Sequence, residues 1–219
     1  MPLAPLSAEP DLVERAHGAI LRSISEGDLA PGTRLMQEEL AASLGVSRQP
    51  VLQALRLLKQ DGFVIDAGRR GLMVAPVAAE LITQVYQLRG ALDALAARLA
   101  AERRAALDER LISQGVRAAA GRSVSAMIDA DIAFHNAIYV VSGNPLIADS
   151  ANRHWAHIRR AMGEVLRTEG IRESVWDEHS AIAAAIAAGA PARAERLSRD
   201  HGDRAARALV AALHARTTV

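Results

Sequence analysis

The sequence of 219 residues contains no cysteine and only two residues each of Phe, Trp and Tyr. The absence of cysteine excludes disulfides, thiolate metal ligands and a cysteine nucleophile. The shortage of aromatic residues predicts an aliphatic, alanine-rich core of closely packed helices. No apolar run approaches the roughly 18 residues that a membrane span needs, and the first residues lack the basic and apolar regions of a secretory signal. We therefore expect a cytoplasmic protein with no membrane partner.

The charges nearly balance, with 26 Lys and Arg against 25 Asp and Glu, so the overall charge does not predict a nucleic-acid partner. Residues 48–70 are different, because they carry five basic side chains and two acidic ones. Any phosphate-binding surface is therefore local to such a segment.

Residue periodicity predicts a mainly α chain, in which an N-terminal winged helix-turn-helix is followed by an all-α bundle of six to seven helices. We expect a flexible tail over 1–10, a DNA-binding domain over 11–76 and a helical ligand-binding and dimerisation domain over 77–219. In the first domain, helices are predicted at 11–24, 37–43 and 47–60, and a β-hairpin at 63–65 and 72–74. In the second domain, helices are predicted at 78–102, 106–120, 124–141, 145–168, 172–188 and 191–215.

The helix that begins near Ser47 has the residues expected of a recognition helix. A recognition helix enters the major groove by its N-terminal end, where Arg48 can donate two hydrogen bonds to a guanine or bind a phosphate. Ser47 and Gln49 can add base or phosphate contacts. The hairpin tip can reach the minor groove with Arg69, Arg70 and Gly71. The alternative interpretation is a small helical domain with a solvated basic face.

Four ionisable residues lie on apolar helix faces of the second domain. Asp131 and His135 are one turn apart on the apolar face of 124–141, His179 is central in that of 172–188, and His201 lies among small residues of 191–215. An ionisable group in an apolar stripe is costly unless it has a partner. Three imidazoles and a carboxylate suit Zn²⁺, and Ni²⁺, Mn²⁺ or Fe²⁺ also fit. The alternative is a set of separate, hydrogen-bonded core histidines.

The other histidines carry weaker signals. His154 lies at the edge of an apolar stripe, so it is a reserve metal ligand or a pocket residue. His17, His157 and His214 are expected at the surface.

The first domain resembles a known family. The segments DLAPGTRL at 28–35 and ELAASLGVSRQPV at 39–51 resemble the winged-helix signature of GntR-type transcriptional regulators. The resemblance implies DNA contacts from Arg34, Ser47, Arg48, Gln49 and Gly71. The chain has Leu52-Gln53 where the family usually has Arg-Glu, so a commonly used DNA-contacting arginine is replaced by leucine.

The second domain resembles the FCD effector domain of the FadR subfamily. The matching segments are LRGALD at 88–93, DIAFHNAI at 131–138, SGNPL at 142–146 and EHSAI at 178–182, together with His201. The resemblance implies a metal held by Asp131, His135, His179 and His201, and a small carboxylate effector bound beside it. Arg89 matches a position that commonly faces the cavity and could pair with that carboxylate. Asp93 stands where the family usually has Glu, and we expect this change to affect helix packing rather than the site.

These observations favour a metabolite-responsive repressor that binds a pseudo-palindromic operator in double-stranded DNA as a homodimer, and not an enzyme. An alternative from another class is a metal-dependent hydrolase or lyase fused to a DNA-binding module, although Glu178 is poorly aimed to serve as its base. A further alternative makes the metal itself the signal, without an organic ligand.

Overall fold

The computed structural model describes residues 12–68, 71–166 and 174–217, and the chain divides into two compact units, residues 1–76 and 77–219. Within the described residues there are ten α-helices and one small sheet. The predicted fold class, a winged helix-turn-helix followed by a helical bundle, is confirmed.

The first unit has three helices and three described strands. The helices are α1 Leu12–Glu26, α2 Gln37–Leu44 and α3 Arg48–Gln60, and the strands are β1 Arg34–Leu35, β2 Val64–Asp66 and β3 Leu72–Val74. The strands are antiparallel in the order β1-β3-β2, with Arg34 opposite Met73 and Val64 opposite Val74. Strand β1 is absent from the sequence prediction, because two residues are too few to show an alternating pattern.

The turn between α2 and α3 depends on Gly45. This residue has φ +65°, and its N–H donates to the carbonyl of Ala42. A left-handed conformation of this kind favours glycine, so the position ends α2 sharply. Ser47 occupies the N-cap position of α3, but within the described residues its side chain makes no capping hydrogen bond. Its hydroxyl therefore remains available at the exposed start of the helix.

The second unit is helical throughout its described residues. Its helices are α4 Ala79–Glu102, α5 Arg110–Ala120, α6 Val124–Ser142, α7 Pro145–Asn152, α8 Trp155–Val165, α9 Ser174–Ala187 and α10 Pro191–Thr217. Helices α4 and α10 pack closely because glycines face each other, and a Cβ added at Gly202 would lie 3.7 Å from the Cα of Gly90. This approach brings the middle of α4 beside the middle of α10, where the candidate site lies.

The predicted single helix over 145–168 is wrong, because the chain forms α7 and α8 with a break at residues 153 and 154. No glycine or proline marks this break. The two halves instead pack into different parts of the core: Ile147 and Ala151 join one hydrophobic cluster, and Trp155 and Ile158 join another. Tertiary packing, which helical periodicity does not report, separates them.

Helix α6 is, within the described part of the chain, the one helix long and apolar enough to cross a membrane by length and composition. It carries Asp131 and His135, both buried inside the second unit. The core helix of a soluble protein passes the same test, and these buried polar residues fit that description.

Candidate metal centre and nucleic-acid interface

Asp131, His135, His179 and His201 lie together inside the second unit. Helix α6 supplies Asp131 and His135, α9 supplies His179, and α10 supplies His201. None of the four is more than 7% exposed. One ligand atom from each residue lies within 4.8 Å of the ligand atoms of the other three.

The distances between these atoms suit a single ion. Nε2 of His179 is 3.3 Å from Nε2 of His201 and 3.5 Å from Oδ1 of Asp131, and Nε2 of His135 is 3.9 Å from that oxygen. Ligands bound at about 2.0–2.2 Å from one ion are themselves about 3–4 Å apart. Nε2 of His135 is buried and has no hydrogen-bond partner among the described residues. The donor set therefore fits a divalent metal that accepts imidazole and carboxylate ligands.

The outer nitrogen of His201 contacts a carboxylate that the sequence interpretation had set aside. Nδ1 of His201 lies 2.7 Å from Oε2 of Glu178, and the other oxygen of Glu178 accepts a 2.7 Å hydrogen bond from Nε of Arg204. Partial burial opposes ionisation of Glu178, but these two hydrogen bonds outweigh it and lower its pKa. A proton held on Nδ1 leaves the Nε2 lone pair of His201 facing the cluster.

Aromatic side chains hold His179 in place. The ring of Phe134 stacks on it at a centroid distance of 4.2 Å, and the ring of Trp176 meets it edge-on at 4.7 Å. Burial lowers the pKa of His135 and that of His179 well below the usual value for histidine. Both rings are thus held in the neutral form that binds metals.

Asp93, where the family usually has Glu, contacts both Arg89 and His135 beside the cluster. Its Oδ2 lies 3.2 Å from Nε of Arg89 and 3.5 Å from Nδ1 of His135, and its Oδ1 accepts a hydrogen bond from the hydroxyl of Tyr139. Arg89 and Asp93 are each 3% exposed. Burial alone would lower the pKa of Arg89, but Asp93 together with Tyr139, Tyr86 and Asp131 outweighs burial and raises it, so the guanidinium stays charged.

A cavity of about 90 Å³ lies beside the cluster, and its polar lining residues include Arg89, Asp93, Asp131 and His201. Arg89 is held there by Trp155, whose ring centroid is 3.9 Å from the guanidinium carbon. His154, by contrast, is half-buried at the N-cap of α8 and is not among the described residues that line the cavity. The structure thus places Arg89 beside the cluster and leaves His154 apart from it.

The remaining histidines are partly as expected. His214 is exposed, and His17 is half-buried with its Nε2 3.6 Å from Asp61. The expectation for His157 is wrong, because it is only 7% exposed. Its helix, α8, also buries Trp155, Ile158 and Ala161, so residue 157 lies at the edge of a broad buried face.

The candidate DNA-contacting residues of the first unit lie at the start of α3 and on β1. Arg34, Ser47, Arg48 and Gln49 are all exposed. Nη1 of Arg48 lies 2.5 Å from Oε1 of Glu38 on α2, so the guanidinium is held near the helix start. Gly71 has φ +89°, and its carbonyl accepts a 2.7 Å hydrogen bond from the N–H of Ala67 across the hairpin. Arg69 and Arg70 lie outside the described residues.

Sequence reasoning missed Glu178, Asp93 and Tyr139 as parts of the site. A signal for Glu178 existed, because a metal-binding histidine needs an acceptor for its outer nitrogen and an acidic residue directly precedes His179. Its actual partner is His201, however, which is 23 positions away. For Asp93, the signal was its position one turn after Arg89 on α4.

Comparison with known proteins gives two family matches. The profile described as "Bacterial regulatory proteins, gntR family" matches residues 12–74, and that of the FCD domain matches residues 84–204. A Bacillus subtilis protein, the uncharacterized HTH-type transcriptional regulator YdhC, is 34% identical over 83 residues, which are 38% of this chain and 37% of that protein. An uncharacterized HTH-type transcriptional regulator of Streptomyces ambofaciens is 33% identical over 153 residues, which are 68% of this chain and 61% of that protein. The chain therefore spans less than two thirds of the length of each of these curated relatives.

Solved structures share the fold. The crystal structure of a putative GntR transcriptional regulator from Rhodococcus sp. RHA1 matches with a TM-score of 0.74 and 24% identity, over 91% of this chain and 97% of that one. Escherichia coli McbR/YncC matches with a TM-score of 0.73 and 20% identity, over 94% of this chain and 98% of that one. At these identities the likeness concerns the fold.

Proposed function

This chain belongs to the gntR family of bacterial regulatory proteins and carries an FCD domain in its second unit, and we propose that it is a metabolite-responsive repressor of transcription. In this proposal the helical unit binds a divalent metal and a small organic acid, and the acid alters the affinity for operator DNA. The relatives named above are transcriptional regulators rather than enzymes.

The observation that carries the metal assignment is the buried cluster of three imidazoles and one carboxylate. Asp131, His135, His179 and His201 would hold the ion, and Zn²⁺ is the preferred candidate, with Ni²⁺, Mn²⁺ or Fe²⁺ as alternatives. The bound ion would supply positive charge beside the cavity. The chain itself supplies Arg89, a second cationic group, in the lining of that cavity.

The cavity beside the cluster favours an organic effector over a protein that senses the metal alone. Arg89 is buried, held in place by Trp155 and directed to this cavity, which is what recognition of a carboxylate requires. An effector at this position changes transcription only if it binds the DNA-competent and DNA-incompetent states with different affinities.

The first unit would bind operator DNA through the N-terminus of α3. Two copies of the unit, brought together in a cytoplasmic homodimer, would read a pseudo-palindromic duplex. Arg48 would contact a guanine edge or a phosphate, Arg34, Ser47 and Gln49 would add contacts beside it, and the hairpin with Arg69, Arg70 and Gly71 would approach the minor groove.

A metal-dependent hydrolase would need a general base, and its candidate base, Glu178, is engaged by other side chains. Glu178 is bound by both His201 and Arg204, with one carboxylate oxygen engaged by each. Its role in this arrangement is to orient His201, so we do not propose an enzymatic activity.

The metal assignment is tested by metal analysis of purified variants. His179→Ala and His201→Ala are each expected to lower the metal content per chain and the thermal midpoint together, because each removes a ligand. His214→Ala is the matched control, since His214 is an exposed histidine on the same helix as His201. Full metal occupancy in both ligand variants would overturn the assignment.

The DNA assignment is tested on duplexes selected from a random library by the full chain. Arg48→Ala is expected to cost about 1–3 kcal/mol of specific binding at constant salt. Arg193→Ala, which removes an exposed arginine of α10, is expected to leave the affinity unchanged. Equal affinities for both variants would exclude Arg48 from the interface.

A further inference from the structure

We propose that the effector is a small monocarboxylate with an apolar tail, bound with its carboxylate at Arg89 and its tail against the apolar lining of the cavity. This inference rests on the proposed function, because it names the class of organic acid that the second unit recognises. It distinguishes this chain from a regulator of sugar acids or dicarboxylic acids.

Arg89, which lines the cavity, has one guanidinium nitrogen that a carboxylate could bind. Arg89 is 3% exposed; its Nε is paired with Asp93 at 3.2 Å, whereas its Nη2 has no hydrogen-bond partner among the described residues. Leaving buried donors of a charged group unsatisfied is costly. Trp155 packs against one face of the guanidinium and so limits its movement. A carboxylate in the cavity would accept a hydrogen bond from Nη2 and so satisfy this donor.

The net charge around the metal-loaded cavity can be neutralised by one carboxylate but not by two. Among its described lining residues, the charged groups are Arg89, Asp93 and Asp131, whose sum is one negative charge. A divalent ion in the adjacent cluster brings the sum to one positive charge. A single carboxylate neutralises this site, whereas a second one would leave an uncompensated negative charge in a buried place.

Most of the cavity lining is apolar and offers few partners to a hydroxylated chain. Beside the charged groups, His201 and Tyr86, the described lining is apolar and includes Met127, Met162, Leu166, Val175, Trp176 and Leu209. Hydroxyl groups buried against such side chains lose their bonds to water without replacement. The cavity, about 90 Å³, is also smaller than the roughly 300–1,000 Å³ typical of sites for larger ligands. These properties favour a short alkyl or similar apolar tail.

The experiment is calorimetric titration of the metal-loaded full chain with four probes: valerate, its uncharged amide valeramide, the dicarboxylate glutarate and the polyhydroxy acid gluconate. Valerate is expected to bind at least about tenfold more tightly than each of the others. Met162→Gln, which makes the apolar lining polar at similar volume, is expected to weaken valerate binding about tenfold. Met36→Gln is the matched control, because Met36 is an exposed methionine of the first unit.

The outcomes separate this inference from the proposed function. Tighter binding of gluconate or glutarate than of valerate would overturn the apolar-tail assignment and leave the organic-acid effector standing. Equal binding of valerate and valeramide would overturn the carboxylate contact. If the chain holds metal but binds none of the acids, both the inference and the organic-acid part of the proposed function fail. Equal loss of valerate affinity in the two methionine variants would also contradict the inference.

Discussion

The carboxylate of Glu178 fixes which ring nitrogen of His201 carries the proton. We predict that Glu178→Gln, which preserves shape but removes the charge, weakens metal affinity about 10–100-fold. The reason is that His201 loses the anionic acceptor at Nδ1 and becomes a weaker, less oriented ligand. Competition with a chelator of known affinity measures the effect.

The control for this substitution is Glu195→Gln on α10. Glu195 forms an exposed pair with Arg199 and is not one of the four cluster residues. If the two variants bind metal equally tightly, Glu178 has no part in orienting His201.

Asp93 and Arg89 form an ion pair that is almost completely buried. We predict that Asp93→Asn lowers the free energy of unfolding by about 3–5 kcal/mol, because the buried guanidinium loses its counter-charge. Urea denaturation of the full chain measures this loss. Asp129→Asn removes an exposed acid paired with Arg159 and is expected to cost about 1 kcal/mol or less. Similar losses in both variants would contradict the assigned importance of burial.

At the scale of single residues, the sequence indicates the candidate metal ligands more clearly than the residues that orient those ligands. Asp131, His135, His179 and His201 each stand out as ionisable groups on apolar helix faces, which periodicity detects. Glu178 does not stand out, because its partner His201 belongs to another helix and only tertiary structure brings them together. His157 was expected at the surface but is buried, because the buried face of α8 is broader than a narrow apolar stripe.

At the scale of elements, α5 and α9 pack through a glycine. A Cβ on Gly115 of α5 would lie 2.0 Å from the ring of Trp176 on α9, and Trp176 in turn contacts His179. We therefore predict that Gly115→Ala destabilises the protein by about 1–3 kcal/mol, because the ring has to move in a packed core. Thermal and denaturant unfolding measure the change.

Gly163→Ala in α8 is the matched control. A Cβ at this position meets nothing within 4 Å, so alanine is expected to stabilise the helix by roughly 0.5–1 kcal/mol. The packing explanation fails if Gly115→Ala is as stable as the control variant.

The helices were predictable where residue pattern and end signals agree. Helix α6 starts at Val124 after Ser123, whose side chain accepts a hydrogen bond from the N–H of Ala126, and it ends at Gly143 in a left-handed conformation. No such signal separates α7 from α8, and β1 exists only because β3 pairs with it. These features arise from distant contacts, which a local pattern does not contain.

At the scale of the molecule, the proposed metal links three helices of the second unit. Consider a sample in which the free ion is present at a hundred times its dissociation constant. Removal of the ion from this sample is predicted to lower the free energy of unfolding of this unit by about 2.7 kcal/mol. Amides of α6, α9 and α10 are expected to exchange faster after chelation, as measured by hydrogen exchange. The core amides of α3 serve as an internal reference, because α3 contributes none of the cluster residues.

An equal loss of protection in α3 and in the cluster helices would contradict this prediction, since it would indicate a general effect of the chelator. Unchanged exchange in α6, α9 and α10 would show that the ion does not stabilise the folded unit.

The spread of the four cluster residues along the chain has a consequence for synthesis on the ribosome. His201 follows Asp131 by 70 positions, so at 5–20 residues per second it is translated about 4–14 s later. During this interval Asp131 and His135 have already been made, but the helix that completes their surroundings has not. The helix-turn-helix is translated earlier still, so a nascent chain contains its whole first unit for several seconds before the proposed metal site is complete.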